Sequence, residues 1–233
     1  MQGILLVDKP KGWTSFDVVN YVRKMVASAE GKKPKNTKVG HTGTLDPLAT
    51  GLLVILVGKE YTRRSGELSK HDKTYDVTLK LGETSNTGDS EGVITPYMGA
   101  SRTDPDAKSL AGVLQQFTGE IMQTPPIYSA IKINGQKAYE LARKGKEVVL
   151  PPRPVTIYGI RDVKYDYPHV HFTCDVSSGT YIRSLVSDIG SMLETGAYMS
   201  ALRRTKVGKY RLDQALKIDD VSENVLQSHL LES

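Results

Sequence analysis

The chain has 233 residues, of which 39% are hydrophobic and 24% charged, the proportions of a soluble globular protein with a substantial core. Its formal net charge is +5, its single cysteine is Cys174, and no run of about 18 apolar residues occurs. These features exclude an internal disulfide, a cysteine-rich zinc site and a membrane-spanning helix, and they point to a reducing cytoplasm.

The N-terminus, MQGILLVDKP, meets a charge at Asp8 and has no small-residue cleavage site, so it reads as an edge of the fold and not as a signal peptide. Residues 3 to 7, GILLV, predict a short buried strand. In WTSF, Ser15 is the expected N-cap of a helix whose apolar positions Val18, Val19, Val22, Met25 and Val26 fall on one face. GKKPKNTK is a basic loop. In GHTGTLDPLATGLL, residues 40 to 53, Asp46 followed by Pro47 is an N-cap and first-turn signature, which predicts a short helix there. The apolar run LLVILVG after it suits a helix or a strand.

From Lys73, TYDVTLKLG alternates strictly, with Tyr75, Val77, Leu79 and Leu81 on one face of a half-buried strand. ETSNTGDSEG is a turn-rich polar loop, and SLAGVLQQFTGEI is helical by period. Residues 125 to 148, PPIYSAIKINGQKAYELARKGKEV, hold a turn at Asn134-Gly135 and a short basic helix, and read as an exposed insertion. RPVTIYGIRDVKYDY and HVHFTCDVSS are strands. GTYIRSLVSDIGSML is a helix with Ile182, Leu185, Val186, Ile189 and Leu193 as its stripe, and from Asp213 a short helical tail is expected. Without repeats, low-complexity tracts or a regular βαβ rhythm, the pattern predicts an α+β fold with a mixed sheet.

The positive charge is clustered. Lys32, Lys33, Lys35 and Lys38 form one group. Lys132, Lys137, Arg143, Lys144, Lys146 and Arg153 form a second, and Arg203, Arg204, Lys206, Lys209 and Arg211 a third. Any one cluster is equally well a solvated face, but three favour a surface that tracks phosphates. His169 and His171 share a strand face with no third ligand nearby, so no metal is expected.

Asp46 is an isolated carboxylate with three possible roles. It could be a plain N-cap, half of a glycosidase pair, or a lone nucleophile held ionised by a helix N-terminus and a cationic partner. Local sequence does not choose among them.

VDKPKGWTSFDVV, residues 7 to 19, together with GHTGTLDPLATGLL resembles the paired signature of the TruB family of pseudouridine synthases. The resemblance continues in order through KTYDVTLKLGETSNTGDSEG, the 125–148 insertion, SSGTYIRSL and ALRRTKVG, over about residues 3 to 221. It implies a mixed, largely antiparallel sheet flanked by helices, the pseudouridine synthase fold with a thumb-like insertion. Residues 1–221 would be the catalytic domain, 125–148 the RNA-binding insertion and 222–233 a short tail.

The implied activity is a cofactor-free isomerisation of uridine 55 in the T-loop of tRNA, after base flipping, with Asp46 as nucleophile. Arg183 would pair with that carboxylate, and Tyr75 would stack on the target base. Tyr181 and Leu202 match substrate-contacting positions, and His41 matches the residue that fills the space left by the flipped nucleotide. Lys132, Arg143 and Lys144 would meet RNA phosphates, and Lys9 and Pro10 would have packing roles. Read without the family, Arg183 is a surface arginine, and Tyr75 and Leu202 are core residues. Longer members carry a C-terminal PUA module with no counterpart here, so a weaker grip on tRNA is expected. The expected partner is the T-arm stem-loop of tRNA, bound by a monomer without membrane or metal. Two rival functions are an RNA-folding chaperone and an aspartate-dependent N-glycoside hydrolase.

Overall fold

The computed structural model describes residues 1–99, 104–129, 131–133, 135–143 and 148–232. In chain order the elements are β1 (Gly3–Lys9), α1 (Ser15–Ala29), β2 (Val39–His41), β3 (Thr50–Val57), α2 (Lys59–Arg63), α3 (Ser65–Leu68) and β4 (Lys73–Leu81). There follow β5 (Glu83–Ser85), β6 (Ile94–Pro96), α4 (Ala107–Gln116), β7 (Gly119–Gln123), β8 (Lys132–Ile133), β9 (Gln136–Lys137) and α5 (Ala138–Arg143). The last are β10 (Arg153–Asp166), β11 (His169–Val176), α6 (Ile182–Met192), β12 (Ala197–Val207), β13 (Tyr210–Arg211), β14 (Leu216–Lys217) and α7 (Glu223–His229). Two compact units result, residues 1–75 with 202–233 and residues 76–201, and both β4 and β12 contribute residues to each.

In the first unit β3 is the central strand. It pairs antiparallel with β1 from Gly3↔Val57 to Lys9↔Gly51, antiparallel with β2, and parallel with β12 at Arg203↔Thr50. Leu53, Ile55 and Val57 pack with Val18, Val19, Val22 and Val26 of α1. The alternate residues Leu52, Val54 and Leu56 pack with Tyr61, Leu68, Val207 and Tyr210. Both faces are therefore buried, which is why LLVILV is continuously apolar and shows no period of two.

Three local expectations are corrected here. The cap of α1 is Thr14, not Ser15: its side chain accepts from the Asp17 N–H, and the Asp17 carboxylate accepts from the Thr14 N–H. This reciprocal pair takes the Asp17 N–H, one of the donors a Ser15 cap would have served. Second, no helix starts at Asp46. A turn is closed by the Ala49 N–H donating to the Asp46 carbonyl at 3.0 Å, and β3 begins at Thr50. The Pro47 carbonyl, which a helix would offer to Gly51, instead accepts from the Gly12 N–H at 2.8 Å. Third, the C-terminal stretch is not only helical, because Leu216–Lys217 form β14 alongside β1.

In the second unit β10 pairs antiparallel with β11 and with β7, and α4 packs on α6 and β10. The helix predicted over SLAGVLQQFTGEI ends at Gln116, and its last residues enter β7. The stripe of α6 is buried as expected at Ile182, Leu185, Val186 and Ile189. The fold is α+β, with a mixed, largely antiparallel sheet flanked by helices.

Gly51 shows how tightly β12 lies on β3. Its φ is +100°, and a Cβ built on it would lie 2.3 Å from the Arg204 carbonyl oxygen. Gly51→Ala combines a left-handed φ with a backbone collision, and is expected to destabilise the protein by about 2–4 kcal/mol. Urea unfolding should show a lower midpoint with an unchanged slope; a wild-type midpoint would contradict the packing described.

Candidate active site

In the first unit, the segment 9–15 grips both neighbours of Asp46. The Ser15 hydroxyl donates to the Leu45 carbonyl at 3.0 Å and accepts from the Leu45 N–H at 2.8 Å. Gly12 N–H donates to the Pro47 carbonyl at 2.8 Å, and the Lys9 ammonium reaches the same oxygen at 3.3 Å. Lys9 is fully buried, and it also donates to the carbonyls of Pro10 at 3.0 Å and Trp13 at 2.5 Å. A buried ammonium persists only when its donors find acceptors, and here backbone carbonyls supply them. Asp46, itself partly buried, thus stands between two residues whose backbone is fixed.

Arg204 holds the other end of this loop. It is 1% exposed and donates from Nε to the Leu52 carbonyl at 2.8 Å and from Nη2 to the Gly43 carbonyl at 3.0 Å. It is therefore no part of a phosphate-tracking surface, which corrects that reading of the third basic cluster. Its neighbour Arg203 pairs with Asp8 at 2.7 Å. Two further basic groups feel the Arg204 charge. Burial, and then Arg204, lower the pKa of His41, whose buried Nδ1 has no hydrogen-bond partner among the described residues. Burial, and then Arg204, also lower Lys73 to about 8, with Asp72 opposing. The Lys73 ammonium donates to the carbonyls of Ser69 and His71. Tyr75 on β4 and Leu202 on β12 are both buried.

The second unit carries Tyr181 and Arg183 at the start of α6. Arg183 is 7% exposed, so it is not the surface arginine that its place beside the apolar stripe would suggest. Its Nη1 donates to the Thr87 carbonyl at 3.0 Å and its Nη2 to the Tyr128 carbonyl at 2.9 Å, while its Nε lies 3.6 Å from the Asp89 carboxylate. Asp89 is 3% exposed and held by the Thr87 hydroxyl at 2.6 Å and the Glu91 N–H at 3.0 Å. Tyr181 gives its backbone N–H to the Gln123 side-chain carbonyl at 2.8 Å.

Ser15, Arg204, Asp89 and Gln123 were not singled out as site residues by sequence. For Arg204 a signal existed. Assigning ALRRTKV as a strand would have put Arg204 on the same face as Leu202. Asp89 sits among turn formers and looks exposed. Of the residues expected to meet phosphates, Lys132 falls in β8 and Arg143 ends α5, while Lys144 lies outside the described residues.

Residues 31–182 match the family described as TruB family pseudouridylate synthase (N terminal domain), and residues 183–233 match the tRNA pseudouridylate synthase B C-terminal domain. The tRNA pseudouridine synthase B of Chlamydia abortus is 42% identical over 215 residues, covering 92% of this chain and 86% of that protein. That of Aquifex aeolicus is 44% identical over 229 residues, covering 96% and 75%. Among solved structures, a Cbf5-Nop10-Gar1 complex aligns with a TM-score of 0.68 at 29% identity, over 94% of this chain and 53% of that one. An H/ACA RNP bound to a substrate RNA containing 2'-deoxyuridine aligns at 0.65 and 26% identity, over 94% and 51%. The chain spans about half the length of those two structural relatives.

The burial of Lys73 has a measurable consequence. Its folded pKa of about 8 lies below the ordinary lysine value of 10.5, so the unfolded chain binds more protons between those values and stability rises with pH across that window. The stability difference between wild type and Lys73→Met is expected to move in favour of wild type by on the order of 2 kcal/mol over that window. Urea unfolding at a series of pH values reads this directly, and a difference independent of pH would show Lys73 to be solvated.

Proposed function

The chain belongs to the TruB family of pseudouridylate synthases, and we propose that it converts uridine 55 in the T-loop of tRNA to pseudouridine with Asp46 as nucleophile. The observation that carries this reading is the fixed backbone on both sides of Asp46, within the loop where the family signature places its aspartate. A carboxylate so held keeps little freedom beyond its own side-chain torsions. It can meet a reacting carbon without an ordering step.

The reaction is an isomerisation, so the atoms balance without a co-reactant. The bond from N1 of the base to C1′ of the ribose breaks, and a bond from C5 to C1′ forms. C5 loses its hydrogen and N1 gains one. Asp46 gives up its electron pair to form a covalent intermediate and recovers it, whether it attacks C6 of the base or C1′ of the sugar. Since the base is not released, no second carboxylate is needed to activate water, in contrast to a glycosidase pair.

Arg183 takes the role of counter-charge to Asp46. Its fixed guanidinium supports this, because a planar fork oriented by carbonyls and Asp89 presents its charge in one direction. Tyr75 serves as the stacking surface for the everted base, worth about 1–3 kcal/mol, and Tyr181 and Leu202 contact it. His41, whose pKa is lowered by burial and by Arg204, fills the space the nucleotide leaves. Lys132, Arg143 and Lys144 meet the phosphates of the T-arm stem-loop.

In Asp46→Asn, pseudouridine at position 55 of tRNA should fall to background while the affinity for a T-arm stem-loop persists. Nucleoside mapping and a binding titration test this pair of outcomes. Persistent pseudouridine would remove Asp46 from the chemistry, and free uracil released by the wild type would identify a hydrolase. Ser15→Ala should slow the reaction about 10- to 100-fold with little change in RNA affinity, because Leu45 is released and the carboxylate drifts. A wild-type rate in this variant, measured in a single turnover, would show that the clamp does not position Asp46.

A further inference from the structure

The start of α6 needs outside help. The first N–H groups of a helix have no partner within it, and Tyr181, the N-cap, makes no side-chain cap. A strap from earlier in the chain, residues 123–129, meets that need at the Tyr181 N–H and also holds two side chains of the first turn. The Tyr181 N–H donates to the Gln123 Oε1 at 2.8 Å, the Ser184 hydroxyl to the Thr124 carbonyl at 2.8 Å, and Arg183 Nη2 to the Tyr128 carbonyl at 2.9 Å. Between the first two acceptors and the third lie Pro125 and Pro126, which have no N–H and a restricted φ, so the strap is stiff.

Gln123 is 2% exposed, and the Tyr181 N–H fixes the sense of its amide, since only the oxygen can accept. Among the described residues its buried Nε2 has no partner, and neither has the hydroxyl of Ser129 at the far end of the strap. Residues 125–129 of the strap are also the first residues of the insertion, and the strap holds Tyr181 and Arg183, the residues assigned to substrate and to Asp46.

We propose that Gln123 is a positioning residue, and that the strap 123–129 couples the insertion to Tyr181 and Arg183. Gln123 touches no reacting atom. It fixes the backbone at Tyr181, and through the first turn of α6 it fixes the direction of the Arg183 fork. RNA held by the insertion then bears on the same strap that orients both side chains. This rests on the isomerase reading above.

The test compares Gln123→Leu, which removes both amide functions, with Gln123→Glu, which keeps an oxygen acceptor for the Tyr181 N–H. Three quantities are measured on the full chain. They are the single-turnover rate of pseudouridine formation on a T-arm stem-loop RNA, the dissociation constant for that RNA, and amide hydrogen exchange across residues 178–186. Gln123→Leu is expected to lower the rate about 10- to 100-fold with affinity and melting temperature close to wild type, and to raise exchange at the start of α6. Gln123→Glu is expected to recover most of the rate and the protection. Wild-type rate and exchange in Gln123→Leu would overturn the proposal. So would equal losses in both variants that follow a fall in melting temperature, since that pattern belongs to core packing alone. If the wild type forms no pseudouridine, the isomerase reading fails, while the exchange comparison still decides whether the strap holds α6.

Discussion

The Pro47 carbonyl accepts from both the Gly12 amide and the Lys9 ammonium, while one hydroxyl, that of Ser15, both donates to and accepts from the backbone of Leu45. Everything assigned to Asp46 depends on this clamp. A short loop between β2 and β3 would otherwise sample several backbone states, and a carboxylate on it would spend most of its time misdirected. By tying the residues before and after Asp46 to one rigid segment, the chain reduces its motion to side-chain torsions. The clamp also explains why the loop does not become a helix. The carbonyl that a helix would use is already taken.

Buried cations recur as backbone pins. Lys9 and Arg204 both donate to backbone carbonyl oxygens in and around the loop. Arg183 is built differently, with two carbonyls and the Asp89 carboxylate around one guanidinium. Asp89 is in turn fixed by a hydroxyl and an amide, so the direction of the Arg183 fork is set through two layers of contact. Charge-assisted hydrogen bonds of this kind favour a single geometry of the fork. In the first unit, burial and the Arg204 charge act together on Lys73 and His41 and lower both.

Much of this was legible in the sequence. The strict alternation from Lys73 predicted β4, the stripe in α6 predicted its buried face, and the ordered motifs led to the family and its fold. Where the reading failed, tertiary contacts had overridden a local signal. Asp46-Pro47 carries the marks of a helix start, yet a hydrogen bond from Gly12 decides the outcome. Ser15 looks like a cap, but the capping box at Thr14 frees its hydroxyl for Leu45, thirty residues away in sequence. The run LLVILV could not be assigned from periodicity because both of its faces are covered. Arg183 and Arg204 read as surface cations because sequence does not record which carbonyls a buried guanidinium will find.

The most direct measurement of the central claim uses tRNA carrying tritium at C5 of its uridines. If Asp46, held by its clamp, drives the exchange of a carbon–nitrogen for a carbon–carbon bond at one T-loop uridine, tritium from that single position should appear in water, with no uracil set free. Absence of tritium release from tRNA, or release accompanied by free uracil, would contradict the account.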